Sequence, residues 1–117
     1  MRSFLIDPFK QEITEVVYSG DIEQIYQLTD CQTFDVARIN SHGDGIFVDD
    51  EGLYAEDVRF FLHSDYPNPL AGKGMVIGCD MENGESASAH TTLDELIEKV
   101  RWVYPIRVNG ELTWIDA

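Results

Sequence analysis

Phe34, Val36 and Arg38 alternate with Asp35, Ala37 and Ile39, and a polar stretch with two glycines follows, Asn40-Ser41-His42-Gly43-Asp44-Gly45. Ile46-Phe47-Val48 is a second β-rich run, and it closes on Asp49-Asp50-Glu51-Gly52. Alternating runs on either side of a glycine-bearing turn predict a β-hairpin with an acidic exit. Ser3–Ile6 and Ile13–Tyr18, separated by Asp7–Glu12, predict another at the N-terminus. Pro8 belongs in that turn, because it has no N–H to give to a sheet ladder. A third hairpin is predicted from Ile106-Arg107-Val108, Asn109-Gly110 and Glu111-Leu112-Thr113-Trp114, joined by a two-residue type I′ turn.

Helical spacing occurs twice. Asp21-Ile22-Glu23-Gln24 opens a short helix, with Asp21 as cap, Gln24 reaching back and an end near Asp30. Thr92-Leu93-Asp94-Glu95 is a fuller capping box. Leu93, Leu96, Ile97, Val100 and Val103 then form one apolar stripe, which predicts a helix from Thr92 to about Val103, ended by Pro105. Acids in its first turn and Lys99 and Arg101 in its last suit the helix dipole. Met75-Val76-Ile77-Gly78-Cys79 is continuously apolar, the mark of a central, buried strand. Glu56–Leu62 fits a helical turn or a strand, Tyr66-Pro67-Asn68-Pro69 is irregular, and Asp80–Ala89 reads as a loop. The order favours a single α+β domain over residues 1–117. Its sheet is mostly antiparallel and built from hairpins, its two helices pack on one face, and residues 103–117 are a C-terminal hairpin extension.

Composition supports one modest core: 117 residues, 44% apolar. It also changes the picture of the partner. There are 22 acids against 8 bases, a net charge of −14, and six acids with no Lys or Arg between Asp44 and Asp57. Such a chain is repelled by nucleic-acid phosphates and anionic membranes, so a charge-steered partner is a basic protein surface. The duller account of the same acids is solubility. Met1–Asp7 lacks the apolar run of a signal peptide, and no stretch approaches the ~20 apolar residues of a membrane span. Cys31 and Cys79 stand alone in sequence, so a cytoplasmic protein with free thiols is expected.

Motifs for chemistry are missing. His42, His63 and His90 are far apart in sequence and show no zinc spacing. The acids at 49–51 and 80–85 do not follow an EF-hand pattern. Gly72-Lys73-Gly74 precedes a strand, whereas a phosphate loop opens a helix. No nucleophile elbow occurs. The expectation is a non-enzyme with no catalytic residues, no metal and no cofactor. Tyr and Trp are enriched at interface hot spots, which singles out Tyr54, Tyr66 and Trp114, while Phe60 and Phe61 fit the core.

Several segments together resemble an uncharacterised family of short acidic phage, prophage and plasmid-borne proteins. They are Leu5-Ile6-Asp7-Pro8, Ile13-Thr14-Glu15-Val16, Ile25-Tyr26, Phe47-Val48-Asp49-Asp50-Glu51-Gly52-Leu53, Phe60-Phe61, and Pro69-Leu70-Ala71-Gly72-Lys73-Gly74 followed by Val76-Ile77-Gly78. The likeness runs from about Phe4 to Val103, and the tail from Tyr104 to Ala117 lies outside it. It implies a mobile-element origin and brings no catalytic residues. With the charge, it leads to an expected anti-defence inhibitor that binds a basic surface of a host nucleic-acid-handling complex, for example a CRISPR-type effector or nuclease. Asp49, Asp50, Glu51, Glu56 and Asp57 form the expected recognition surface, with Tyr54 as anchor. The alternative is a small-ligand-binding module near Gly72–Gly78, drawing on Lys73, Arg59 and Arg38, or a regulator with a purely structural contact.

Overall fold

A computed structural model describes all 117 residues. The chain folds as an α+β protein in which every strand pairing is antiparallel. β1 (Arg2–Asp7) and β2 (Glu12–Val17) form the N-terminal hairpin, and α1 (Ile22–Thr29) follows. Asp21 caps α1 through its side chain, which accepts the Glu23 N–H at 3.0 Å. Gln24 reaches back past the cap, accepting the Ser19 N–H and donating to the Val17 carbonyl, and so ties α1 to the end of β2.

β3 (Phe34–Arg38) and β4 (Gly45–Asp49) are the second hairpin. One turn of 3-10 helix, Gly52–Tyr54, leads to β5 (Phe60–His63) and β6 (Leu70–Ala71). The ambiguous 56–62 segment is therefore a strand at its end, because Phe60 and Phe61 find ladder partners in Ala71 and Leu70. β7 (Gly74–Cys79) inserts between β1 and β4 as the centre of the first sheet, whose order is β2-β1-β7-β4-β3. β8 (Ser86–Ala87) adds to β7 from within the 80–89 loop. α2 (Leu93–Lys99), β9 (Val100–Val108) and β10 (Glu111–Asp116) complete the chain. The second sheet runs β10-β9-β5-β6. Asn109 and Gly110 both have positive φ, +51° and +81°, as a type I′ turn requires.

The second helix departs from expectation. It stops at Lys99, and Val100 and Val103 belong to β9, where they pair with His63 and Phe60 of β5. Their spacing suits either element, and the cross-strand ladder to β5 decides it. Leu96 is fully buried as expected, whereas Ile97 is 60% exposed and takes no part in the core.

The helices also sit differently from the single-face arrangement. Alternation along β7 sends Val76 to one side of the first sheet and Met75 and Ile77 to the other. Leu96 of α2 joins Phe4, Ile6, Ile46, Val76 and Phe61 on the first side, and Ile25 of α1 packs with Met75 and Ile77 on the second. The second sheet, through Phe61 and Leu70, fills the same side as α2. Gly74 makes that closeness possible: a Cβ there would lie 2.7 Å from Ile46 Cγ2 and 2.8 Å from Phe61 Cζ. β7 is thus covered on both faces, which is why its sequence is apolar without alternation.

Candidate functional site

The acidic exit is built on the last residues of β4. Asp49 still pairs with Phe34, and its Oδ1 turns inward to accept the Glu51 N–H at 3.0 Å. Asp50 accepts the Thr33 hydroxyl, and its own N–H donates to the Thr33 carbonyl at 3.3 Å. The Tyr54 N–H donates to the Glu51 carbonyl, which closes the 3-10 turn. Gly52, buried beneath this turn, lies against Ala71; a Cβ would stand 3.0 Å from the Ala71 carbonyl oxygen. The turn is therefore seated on β6 and projects Leu53 and Tyr54 outward, 67% and 87% exposed. Two large apolar side chains standing in water on a hydrogen-bonded support cost little further ordering on binding.

The five acids around them are not equivalent. Asp49 is half-buried and occupied by the turn. Asp57 pairs with Arg59 Nε at 2.9 Å, both groups exposed. Glu51 and Glu56 are exposed, and among the carboxylates of this stretch they alone make no side-chain bond. Beside the turn, Lys73 Nζ binds Asp30 Oδ2 at 2.8 Å, and this hydrogen bond raises the lysine pKa. The patch is acidic at Glu51, Asp50 and Glu56 and softened by cations along its edge.

Of the other aromatic candidates, Tyr66 is half-buried against the core and Trp114 packs edge-on to Phe60 with ring centroids 4.9 Å apart. Tyr54 alone stands free. Lys73, Arg59 and Arg38, the cations named for the alternative ligand site, each bind a different partner. Lys73 goes to Asp30, Arg59 to Asp57, and Arg38 donates to the Gly43 carbonyl at 2.8 Å. Met75, Val76 and Ile77 fill the two core faces, so the cavities near β7 lie only at its ends: one of about 100 Å³ lined by Gly72 and Lys73, and one of about 460 Å³ lined by Arg38 and Cys79. Cys31 and Cys79 are both free thiols. Burial pushes the Cys31 thiol up, and the nearby charges of Asp49, Asp50 and Asp30 push the same way against the Thr29 hydrogen bond.

A second site has no forerunner in the sequence pattern. His42 in the β3–β4 turn, His90 in the loop before α2 and His63 at the end of β5 line one cavity of about 280 Å³. Asp44 assembles two of its walls. Its fully buried carboxylate accepts the His90 N–H at 2.8 Å, the Thr91 N–H at 2.7 Å and Asn40 Nδ2 at 3.0 Å. The His42 and His90 rings stack at 3.6 Å, 20° from parallel. His63 accepts the Asp65 N–H on Nδ1 at 3.1 Å. Burial holds its pKa below the ordinary histidine range, Asp65 opposes that shift and Lys99 adds to it. Lys99 Nζ reaches Asp65 Oδ2 at 2.7 Å, which lowers the Asp65 pKa. No three His, Cys, Asp or Glu side chains are placed to hold one metal ion.

Fold and sites together define a hairpin-built antiparallel α+β protein with an exposed aromatic turn ringed by acids and a separate histidine-lined cavity. No helix is long and apolar enough to cross a membrane. No family model matches the chain, and no curated protein or solved structure matches it either.

Proposed function

We propose that this chain is a small non-enzymatic binding protein of mobile-element origin. It acts in the host cytoplasm as an anti-defence inhibitor that docks on a basic surface of a nucleic-acid-handling complex, such as a CRISPR-type effector or a nuclease. The observation that carries this reading is Tyr54, 87% exposed beside Leu53 on a seated turn and surrounded by Asp50, Glu51 and Glu56. Machines that handle nucleic acid present Lys/Arg surfaces for phosphate, and a compact body of net charge −14 is drawn to them. The acids set the encounter rate, and the aromatic anchor sets the residence time. The resemblance of the Phe47–Leu53 and Pro69–Gly74 strings to mobile-element proteins supplies the biological setting.

The test is capture of the partner from host lysate, followed by binding kinetics with purified components at two salt concentrations. A basic partner whose nucleic-acid processing is blocked stoichiometrically supports the reading. A captured acidic partner, or association that does not respond to salt, sinks it.

A further inference from the structure

The three histidines meet at a cavity whose wall has only one apolar residue, Ile39. His63 is 1% exposed, and its tautomer follows from its neighbour. Nδ1 accepts the Asp65 N–H, so it bears the lone pair and the proton sits on Nε2. That buried Nε2–H has no acceptor in the protein. Buried donors are nearly always paired, so an acceptor belongs within reach of this one, and His63 is part of the cavity lining. His42 and His90 bind the rest of the chain through backbone N–H groups, and their ring nitrogens remain free. Each neutral imidazole offers one N–H.

We propose that this cavity binds a small oxyanion of the carboxylate or phosphate class, held by the imidazole donors of His63, His42 and His90 with the Lys99 ammonium at its mouth. The surrounding acids are mostly spoken for. Asp65 is paired with Lys99. Asp44 has both oxygens filled by N–H donors. Glu95 accepts the Thr91 hydroxyl at 3.0 Å and is the one wall carboxylate without a cation of its own, so it opposes the anion. A metal ion is the poorer occupant. A ligating nitrogen points its lone pair in the ring plane, and two near-parallel planes 3.6 Å apart do not meet at one ion.

The experiment follows the imidazole nitrogens of ¹⁵N-labelled full-length protein by NMR during titration with inorganic phosphate and, separately, with acetate at constant ionic strength. The expected result is a saturable shift shared by His63, His42 and His90. Glu95→Gln tightens it, and the His42→Ala/His90→Ala double variant, whose changed residues are exposed, weakens it about tenfold with an unchanged circular dichroism spectrum. A response to phosphate alone names the phosphate class, and a response to acetate alone names the carboxylate class. Non-saturable shifts with both anions overturn the proposal. So does binding that is the same in the double variant, or stoichiometric zinc uptake with no response to either anion.

Discussion

The Asp44 carboxylate holds Thr91 across the fold: Oδ2 accepts the Thr91 N–H at 2.7 Å, inside the protein and 47 positions away along the chain. The same carboxylate takes the His90 N–H and Asn40 Nδ2, so one side chain ties the β3–β4 turn to the start of α2. Asp44→Ala leaves two backbone donors unpaired, one of them buried. Each orphaned donor costs about 1–3 kcal/mol, so a loss of about 3 kcal/mol is expected in urea denaturation. The His42–His90 stack, which depends on this tie, should separate, seen as divergent imidazole shifts. A loss under about 1 kcal/mol would show that the turn and the loop are held together by something else.

Leu96 and Ile97 are neighbours with opposite environments, 0% and 60% exposed. Leu96→Asp puts an unpaired charge among Phe4, Val76 and Phe61 and should abolish cooperative thermal unfolding. Ile97→Asp should stay within about 0.5 kcal/mol of the parent, as surface changes do. Equal sensitivity at the two positions would mean that α2 is rotated from the orientation described.

Gly74→Ala drives a Cβ against Ile46 and Phe61 where the two sheets meet. Overpacking of this kind costs about 1–3 kcal/mol. Phe61→Leu alone should also destabilise, because it removes buried ring atoms. Combined, the two should cost less than their sum, since the smaller side chain relieves the clash. Strict additivity in denaturant titrations would place the strain elsewhere.

Stability should fall between about pH 7 and pH 5 through His63. Its folded pKa is lowered by burial, so across this window the unfolded chain binds more protons than the native one. The contribution is complete above the unfolded value of about 6.5 and is lost as pH falls through the folded one. Asp65, whose pKa is also lowered, acts in a separate window below the ordinary carboxylate range. His63→Asn keeps an acceptor for the Asp65 N–H and does not titrate, so it should flatten the slope between pH 7 and pH 5. An unchanged slope in phosphate-free and acetate-free buffer would assign the effect to other groups.

At the acidic turn, Tyr54→Ala should speed dissociation from the captured partner with little change in association. Glu51→Gln with Glu56→Gln should slow association and flatten its salt dependence. Asp57→Asn should slow it by a comparable single-charge step, since it turns the neutral Asp57–Arg59 pair into a lone cation at the edge of the patch. Stopped-flow binding at two salt concentrations reads all three. Unchanged rates for the neutralised variants would reduce the acids to a solubilising surface.

Local chemistry was enough for the three hairpins, the caps at Asp21 and Thr92, and the central position of β7. Each rests on neighbours a few residues apart or on a strand buried on both faces. Residue type singled out Tyr54, Tyr66 and Trp114 alike, and only the tertiary structure separates the exposed Tyr54 from the two half-buried rings. Sequence could not tell that the second helix stops at Lys99, since Val100 and Val103 suit a helix or a strand and only the ladder to β5 selects between them. Nor could it show that α1 and α2 take opposite faces, a choice made when the second sheet covers the Val76 side. The histidine cavity is the furthest from local pattern. His42, His63 and His90 stand on three separate elements, and what joins them is the Asp44 carboxylate and the packing of β5 and α2, contacts between residues distant in the chain that no local periodicity encodes.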